Sequence, residues 1–290
     1  MNIASARRTA FQFVLVLAIA ALATKPLPAQ TAATTELPPR TYLGFDSNQY
    51  PGDSSLSELR NTFAFTGYWL NPPPGEKENP WLGKRATVAA HDFGFLVLFN
   101  GRLEAELKRA PDPSTVGQQD ADRAVAAAAH EGFRRGTVIF LDQEEGGRLP
   151  DDQMAYVLGW IKGVTQAGFK AGVYSSGIPV KDGRNKTITT AENIREEATG
   201  ADISFFVYND ACPPSPGCAY RAPAPAESGT PFATTWQFAQ SPRRKQYTSH
   251  CATTYSKDGN CHPANASTAA LAGALLDLDS ATSPDPSHTR

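Results

Sequence analysis

Residues 94–99, 137–142 and 203–208 are apolar runs with little or no alternation of polar partners. A strand that is apolar on both faces must be covered on both, which is the situation of a parallel sheet packed between helices. Further strand-like runs fall at 42–46, 66–70, 171–175, 232–240 and 249–255, with helix-favouring stretches between several of them, at 54–63, 81–90, 120–133, 151–166 and 190–198. An Ala- and Leu-rich stretch at 267–278 predicts one last helix. About eight strands alternating with helices predict a (β/α)8 TIM-type barrel in preference to an open doubly wound sheet. The later helices are weak in sequence, which leaves room for a distorted or incomplete barrel. No glycine-rich dinucleotide fingerprint follows the first strand, and there is no Walker lysine motif.

Ahead of these elements Arg7 and Arg8 precede a short apolar run at 13–23, then Lys25 and a Pro-containing stretch. That order reads as a secretory signal peptide over residues 1–29, with Ala23 the alternative cleavage point. The run falls short of the roughly 20 apolar residues that span a bilayer. The paired arginines leave both the general and the twin-arginine export routes open. Residues 30–40 read as a linker, 41–278 as the barrel and 279–290 as a disordered tail. The expected location is therefore secreted or periplasmic, without a membrane anchor after cleavage and as a monomer. A formal net charge of -2 with no basic tract argues against a nucleic-acid partner.

The cysteines, Cys212, Cys218, Cys251 and Cys261, all lie in the last third of the chain, and an even number in an exported protein favours disulfides. The expectation is two sequence-local pairs, Cys212–Cys218 and Cys251–Cys261, each stapling its own loop. A zinc site using His250 or His262 is the rival reading, with a spacing unlike the common zinc patterns.

Reactive groups of such barrels sit where strands end and βα loops begin. Asp46 ends the first strand, and Asp142 and Glu144 end the fourth. Their spacing puts both side chains on one face of an extended chain, with Cα atoms about 6.5 Å apart. Carboxyls in a shared cavity repel, so one tends to keep its proton while another ionises. The plain alternative is that Asp46 caps a turn and that Glu144 and Glu145 solvate a loop, but charge ending a buried strand is costly unless it is used or paired. Glu145 falls out of register and ranks below Glu144. Sugar rings pack on aromatic faces, which makes Trp236 and Tyr174 candidate substrate contacts with Gln237 as a hydrogen-bonding neighbour; each aromatic could equally be core.

Gly44-Phe45-Asp46, Asp142-Gln143-Glu144, Gly172-Val173-Tyr174-Ser175 and Trp236-Gln237-Phe238, in that order, resemble the family-25 glycoside hydrolases, which are bacterial and phage muramidases. The sequence is more similar still to secreted bacterial glycoside-hydrolase-like domains whose type is a mycobacterial protein exported by the twin-arginine route. The resemblance covers roughly residues 40–263. It implies Glu144 as general acid, Asp142 as the carboxylate that stabilises the reacting centre, Asp46 as a supporting carboxylate and Asp210 as the family's further acid at the substrate. It implies a peptidoglycan-like glycan as partner and no cofactor. The loops at 71–80, 100–120 and 212–231 depart from muramidases. Three readings follow: a retaining glycosidase for cell-wall or other extracellular polysaccharide, a silent barrel that binds glycans, and a hydrolase in which Asp46, Asp142 and Glu144 hold a divalent metal.

Overall fold

The computed structural model describes residues 40–249, 251, 253–262 and 275–290. The proposed signal peptide, nearly all of the linker, His250 and most of the helix expected at 267–278 lie outside these residues. In chain order the elements are β1 (Tyr42–Asp46), α1 (Leu56–Arg60), β2 (Phe65–Trp69), α2 (Arg85–Ala90), β3 (Gly94–Asn100), α3 (Glu104–Leu107), α4 (Pro113–His130), β4 (Val138–Asp142), α5 (Asp151–Gln166) and β5 (Lys170–Ser176). A small hairpin, β6 (Val180–Lys181) and β7 (Thr187–Ile188), precedes α6 (Thr190–Glu197), β8 (Ile203–Tyr208), β9 (Thr235–Ala239) and β10 (Asp277–Ala281).

Eight of the strands close into a barrel in the order β1-β10-β9-β8-β5-β4-β3-β2. Seven are parallel, as their two-sided burial requires, whereas β10 runs antiparallel to both β1 and β9. Local chemistry sets the helices around them. Asp112 caps α4, accepting from the Thr115 N–H at 3.3 Å with Pro113 at the first helical position. Thr189 and Glu192 form a reciprocal capping box on α6. Outward-facing aromatics fill the layer between sheet and helices, with Phe45 against Phe63 at 5.0 Å and Phe95 against Phe133 at 5.3 Å.

Three expectations are corrected. The eighth strand is β10, and the described residues of 249–255 form turns and bends instead. Residues 279–290 are not a disordered tail. They complete β10 and then cross the lower ends of β3 and β4, where Asp285 accepts from the Phe95 N–H at 2.9 Å and Ser287 accepts from the Val97 N–H at 2.8 Å and the Val138 N–H at 2.9 Å. The disulfides join Cys212 to Cys251 and Cys218 to Cys261, with Cα separations of 5.7 and 5.2 Å. The reason is spatial: the loops after β8 and β9 lie side by side, with the Cys218 N–H donating to the Thr254 carbonyl at 2.8 Å, so each bridge ties one loop to the other. His262 pairs with Asp258 at 3.0 Å.

Gly94 stands where the 283–290 segment passes: a Cβ added there would meet the Pro284 carbonyl oxygen at 1.9 Å. Gly94→Ala is expected to destabilise the protein by about 1–3 kcal/mol, the usual cost of overpacking. Calorimetry would read this as a melting point lower by about 2–4 °C per kcal/mol. A non-reduced digest should yield the Cys212–Cys251 and Cys218–Cys261 peptides; links within each loop would refute the pairing.

Candidate active site

Parallel strands deliver their C-terminal ends to one rim, and an antiparallel strand delivers its beginning there. The rim therefore collects Asp46 from β1, Asp142 from β4, Tyr174 from β5, Gln237 from β9 and Asp277 from the start of β10, which stands directly opposite Asp46 in the ladder. These residues line a cavity of about 100 Å³ whose walls also include Trp69 and Glu144. None of its lining residues is Lys, Arg or His. Gly67 leaves space for Asp46, since a Cβ on it would lie 2.6 Å from the Asp46 Cβ.

A single amide organises the floor. Gln237 Nε2 donates to Asp46 Oδ2 at 2.7 Å and to Asp277 Oδ2 at 3.3 Å, while its Oε1 accepts from the Tyr174 hydroxyl at 2.7 Å. Gln240 Nε2 in turn donates to that hydroxyl at 3.2 Å, and the Ser241 N–H donates to Asp277 Oδ1 at 2.5 Å. The Gln237 amide thus has one fixed orientation, nitrogen toward the carboxyls. Asp142 is buried, and its Oδ1 meets no hydrogen-bond partner among the described residues. Glu144 sits above it on the solvent-exposed rim.

With no cation in the lining, burial and mutual repulsion set the electrostatics. Burial raises Asp46 to about 6, against the Gln237 hydrogen bond and the neighbouring Asp279 carboxyl, which lower it. Asp142 is pushed well above the ordinary carboxylate range by burial and then by Glu144, Asp46 and Glu145. Burial and then the neighbouring Asp46 push Asp277 up in the same way. Glu144 is raised by partial burial and by Glu145.

The other predicted positions fall elsewhere. Trp236 is one residue out of phase with Gln237, so its ring lies on the outer face, where Nε1 donates to the Asn209 carbonyl at 3.0 Å; Trp69 is the tryptophan of the cavity wall. Asp210 is fully buried but gripped by Arg244, Nε to Oδ1 at 2.9 Å and Nη2 to Oδ1 at 2.5 Å, and it does not line the cavity. Arg244 itself stacks on Tyr208 and Tyr247, at 4.9 and 5.3 Å from the ring centroids. Glu145 is structural: its Oε1 accepts from the Glu104 N–H at 2.7 Å at the start of α3, and Oε2 accepts from Gln143 at 2.6 Å. Asp277 and Asp279 were not anticipated, although the alternation Leu276-Asp277-Leu278-Asp279 has the period of a strand with two carboxyls on one face. Among the described residues no group of three or more His, Cys, Asp and Glu is arranged to hold a metal ion.

The sequence from 76 to 250 matches the family described as Rv2525c-like, glycoside hydrolase-like domain. The chain belongs to this family. The Rv2525c-like barrel is similar to the solved structure of an uncharacterized B. stearothermophilus protein, with a TM-score of 0.51 and 16% identity over 82% of this chain and 94% of that one. It is also similar to the Mycobacterium tuberculosis Tat-secreted protein Rv2525c in complex with L-tartrate, with a TM-score of 0.50 and 12% identity over 83% and 95% of the two chains. A fainter likeness, TM-score 0.48 at 11% identity, joins 83% of this chain to 46% of the modular autolysin LytC from Streptococcus pneumoniae in complex with a synthetic peptidoglycan ligand. No curated protein matches the sequence. In this Rv2525c-like barrel the Asp210–Arg244 pair joins a buried carboxylate to a half-buried guanidinium, and removing the arginine strands the carboxylate's charge. Arg244→Met should cost about 3–5 kcal/mol in urea unfolding, and adding Asp210→Asn should recover most of the loss.

Proposed function

We propose that the barrel hydrolyses glycosidic bonds of an extracellular polysaccharide, with peptidoglycan or a related cell-wall glycan as the substrate class. The observation that carries this reading is the pairing of an exposed carboxyl on the rim, Glu144, with the buried Asp142 beneath it in one aromatic-walled cavity. Glu144 is the general acid: its raised pKa lets it keep the proton that it gives to the leaving glycosidic oxygen. The negative charge of the Asp46 and Asp142 pair faces the anomeric carbon, where positive charge develops as the C–O bond breaks. As the leaving oxygen departs with the Glu144 proton, the substrate's own acetamido oxygen bonds to the anomeric carbon; Glu144, now ionised, then removes a proton from the water that displaces this oxygen, which restores the acid and, after two inversions, completes a retaining cycle. The spacing of Asp142 and Glu144 along an extended chain suits the short carboxyl separation of retaining enzymes. Trp69 offers a flat face for a sugar ring.

Two disulfides fit an extracellular protein. Together with the signal-like leader, they support secretion and hence a wall or matrix substrate. A second reading, a silent barrel that binds a single sugar unit, is favoured by the small cavity of about 100 Å³, below the roughly 300–1,000 Å³ usual for ligand sites.

Incubation with purified peptidoglycan and a panel of polysaccharides, with reducing ends measured, separates them. Hydrolysis predicts turnover in the wild type, unaffected by a chelator, and a loss of about 10²-fold or more in Glu144→Gln with glycan binding retained. Binding without turnover anywhere on the panel would support the silent barrel. The pH profile should carry a rising limb through about 6 as the cluster holding Asp46 ionises, and a falling limb set by loss of the Glu144 proton, whose pKa is raised by burial and by Glu145. The falling limb should vanish in whatever residual activity Glu144→Gln retains.

A further inference from the structure

Asp279 lies two residues deeper along β10 than Asp277, opposite Gly44 on β1 and Gln237 on β9. It is completely buried, and neither of its carboxyl oxygens meets an N–H or O–H donor among the described residues. An ionised carboxylate in that position would be far more costly than a neutral acid. The groups around it sharpen the choice. Asp46 faces it from β1 and Asp277 from its own strand, both acidic; β9 presents the uncharged Gln237, and the cavity above contributes no base. Asp46, an acceptor, lies within its reach.

We propose that Asp279 is a positioning residue held as a neutral carboxylic acid, whose O–H donates to Asp46 and fixes that carboxylate beneath the cavity. Asp46 is then gripped by two donors from different strands, Gln237 on β9 and Asp279 on β10. It needs both, because Gly67 offers it no side chain to lean on. Burial and the two neighbouring aspartates push Asp279 well above the ordinary carboxylate range, in keeping with this state. The role rests on the hydrolase reading only for its consequence in turnover; the protonation of Asp279 and its grip on Asp46 do not depend on it.

The sign of the pH effect follows from linkage. A group whose folded pKa is raised contributes stability that is complete below the unfolded value, about 3.9 for Asp, and is lost as pH rises through the folded value. Asp279→Asn keeps the shape and an N–H donor but has no proton to lose. Its melting temperature should fall less than that of the wild type between pH 5 and 8, and at pH 8 it should be at least as stable. Carboxyl ¹³C NMR should show Asp46 titrating near 6 in the wild type and close to that value in Asp279→Asn. In Asp279→Leu, which is similar in shape but has no donor, the Asp46 titration should move up by about one pH unit. If the enzyme turns over, kcat in Asp279→Leu should fall about tenfold with KM little changed, and Asp279→Asn should stay within a few-fold of wild type. Greater destabilisation of Asp279→Asn at pH 8 than at pH 5 would mean that the ionised form is the one used. An Asp46 titration unmoved in Asp279→Leu would remove the positioning role. Absence of turnover on every glycan would sink the hydrolase reading alone, since the melting and NMR arms still decide on Asp279.

Discussion

Strand β10 stands between β1 and β9, running antiparallel to both, and the cylinder closes through its five residues. The same strand supplies part of the acid cluster. Because the strand starts at the rim and descends, its first acid joins the mouth and its second lies in the lumen. Closure of the barrel and concentration of negative charge are therefore one event. Like charges directly opposite each other in an antiparallel ladder repel, as Asp46 and Asp277 do here. The Gln237 amide bridges the two. Such a concentration of buried acids costs stability.

The chain handles its acids in two ways, and the difference is a cation. Asp210 sits one loop away from the cavity and is neutralised by Arg244, which is held between two tyrosines by loops that the disulfides join. The cavity acids have no such partner. An acid that the family resemblance would place at the substrate is thus spent on structure, while β10 brings Asp277 to the rim.

Much of the site was legible in the sequence because parallel strands announce themselves. Three continuous apolar runs and four further strand-like runs located seven of the eight barrel strands, and the acids ending two of them fell where strand ends must go. Tyr174 and Gln237 were also found, and both face the cavity. What escaped had physical reasons. The closing strand Asp-Leu-Asp-Ser-Ala is polar on the face that a barrel normally fills with apolar side chains, so it read as a helix end and a tail. A one-residue phase error separates Trp236 on the outer face from Gln237 within, and period-two patterns do not say which phase is inward when both faces are buried. Disulfide partners 39 and 43 residues apart follow from two loops being neighbours in space, which no local spacing encodes.

The segment beyond β10 has a consequence for the order in which the molecule can be assembled. Residues 285 and 287 bond to β3 across 190 positions of sequence, and residues 277–281 pair with β1 from still farther away. Contacts of such separation form late, because the chain between them must first be brought together. Until residues near 280 are available, β1 has no neighbour on one side and the lower ends of β3 and β4 lack their cross-tie. Closure of the barrel before those residues have been made is thereby disfavoured. A polypeptide made from its N-terminus keeps these sheet edges open until those residues emerge, and its cylinder is the last part of the molecule to be completed.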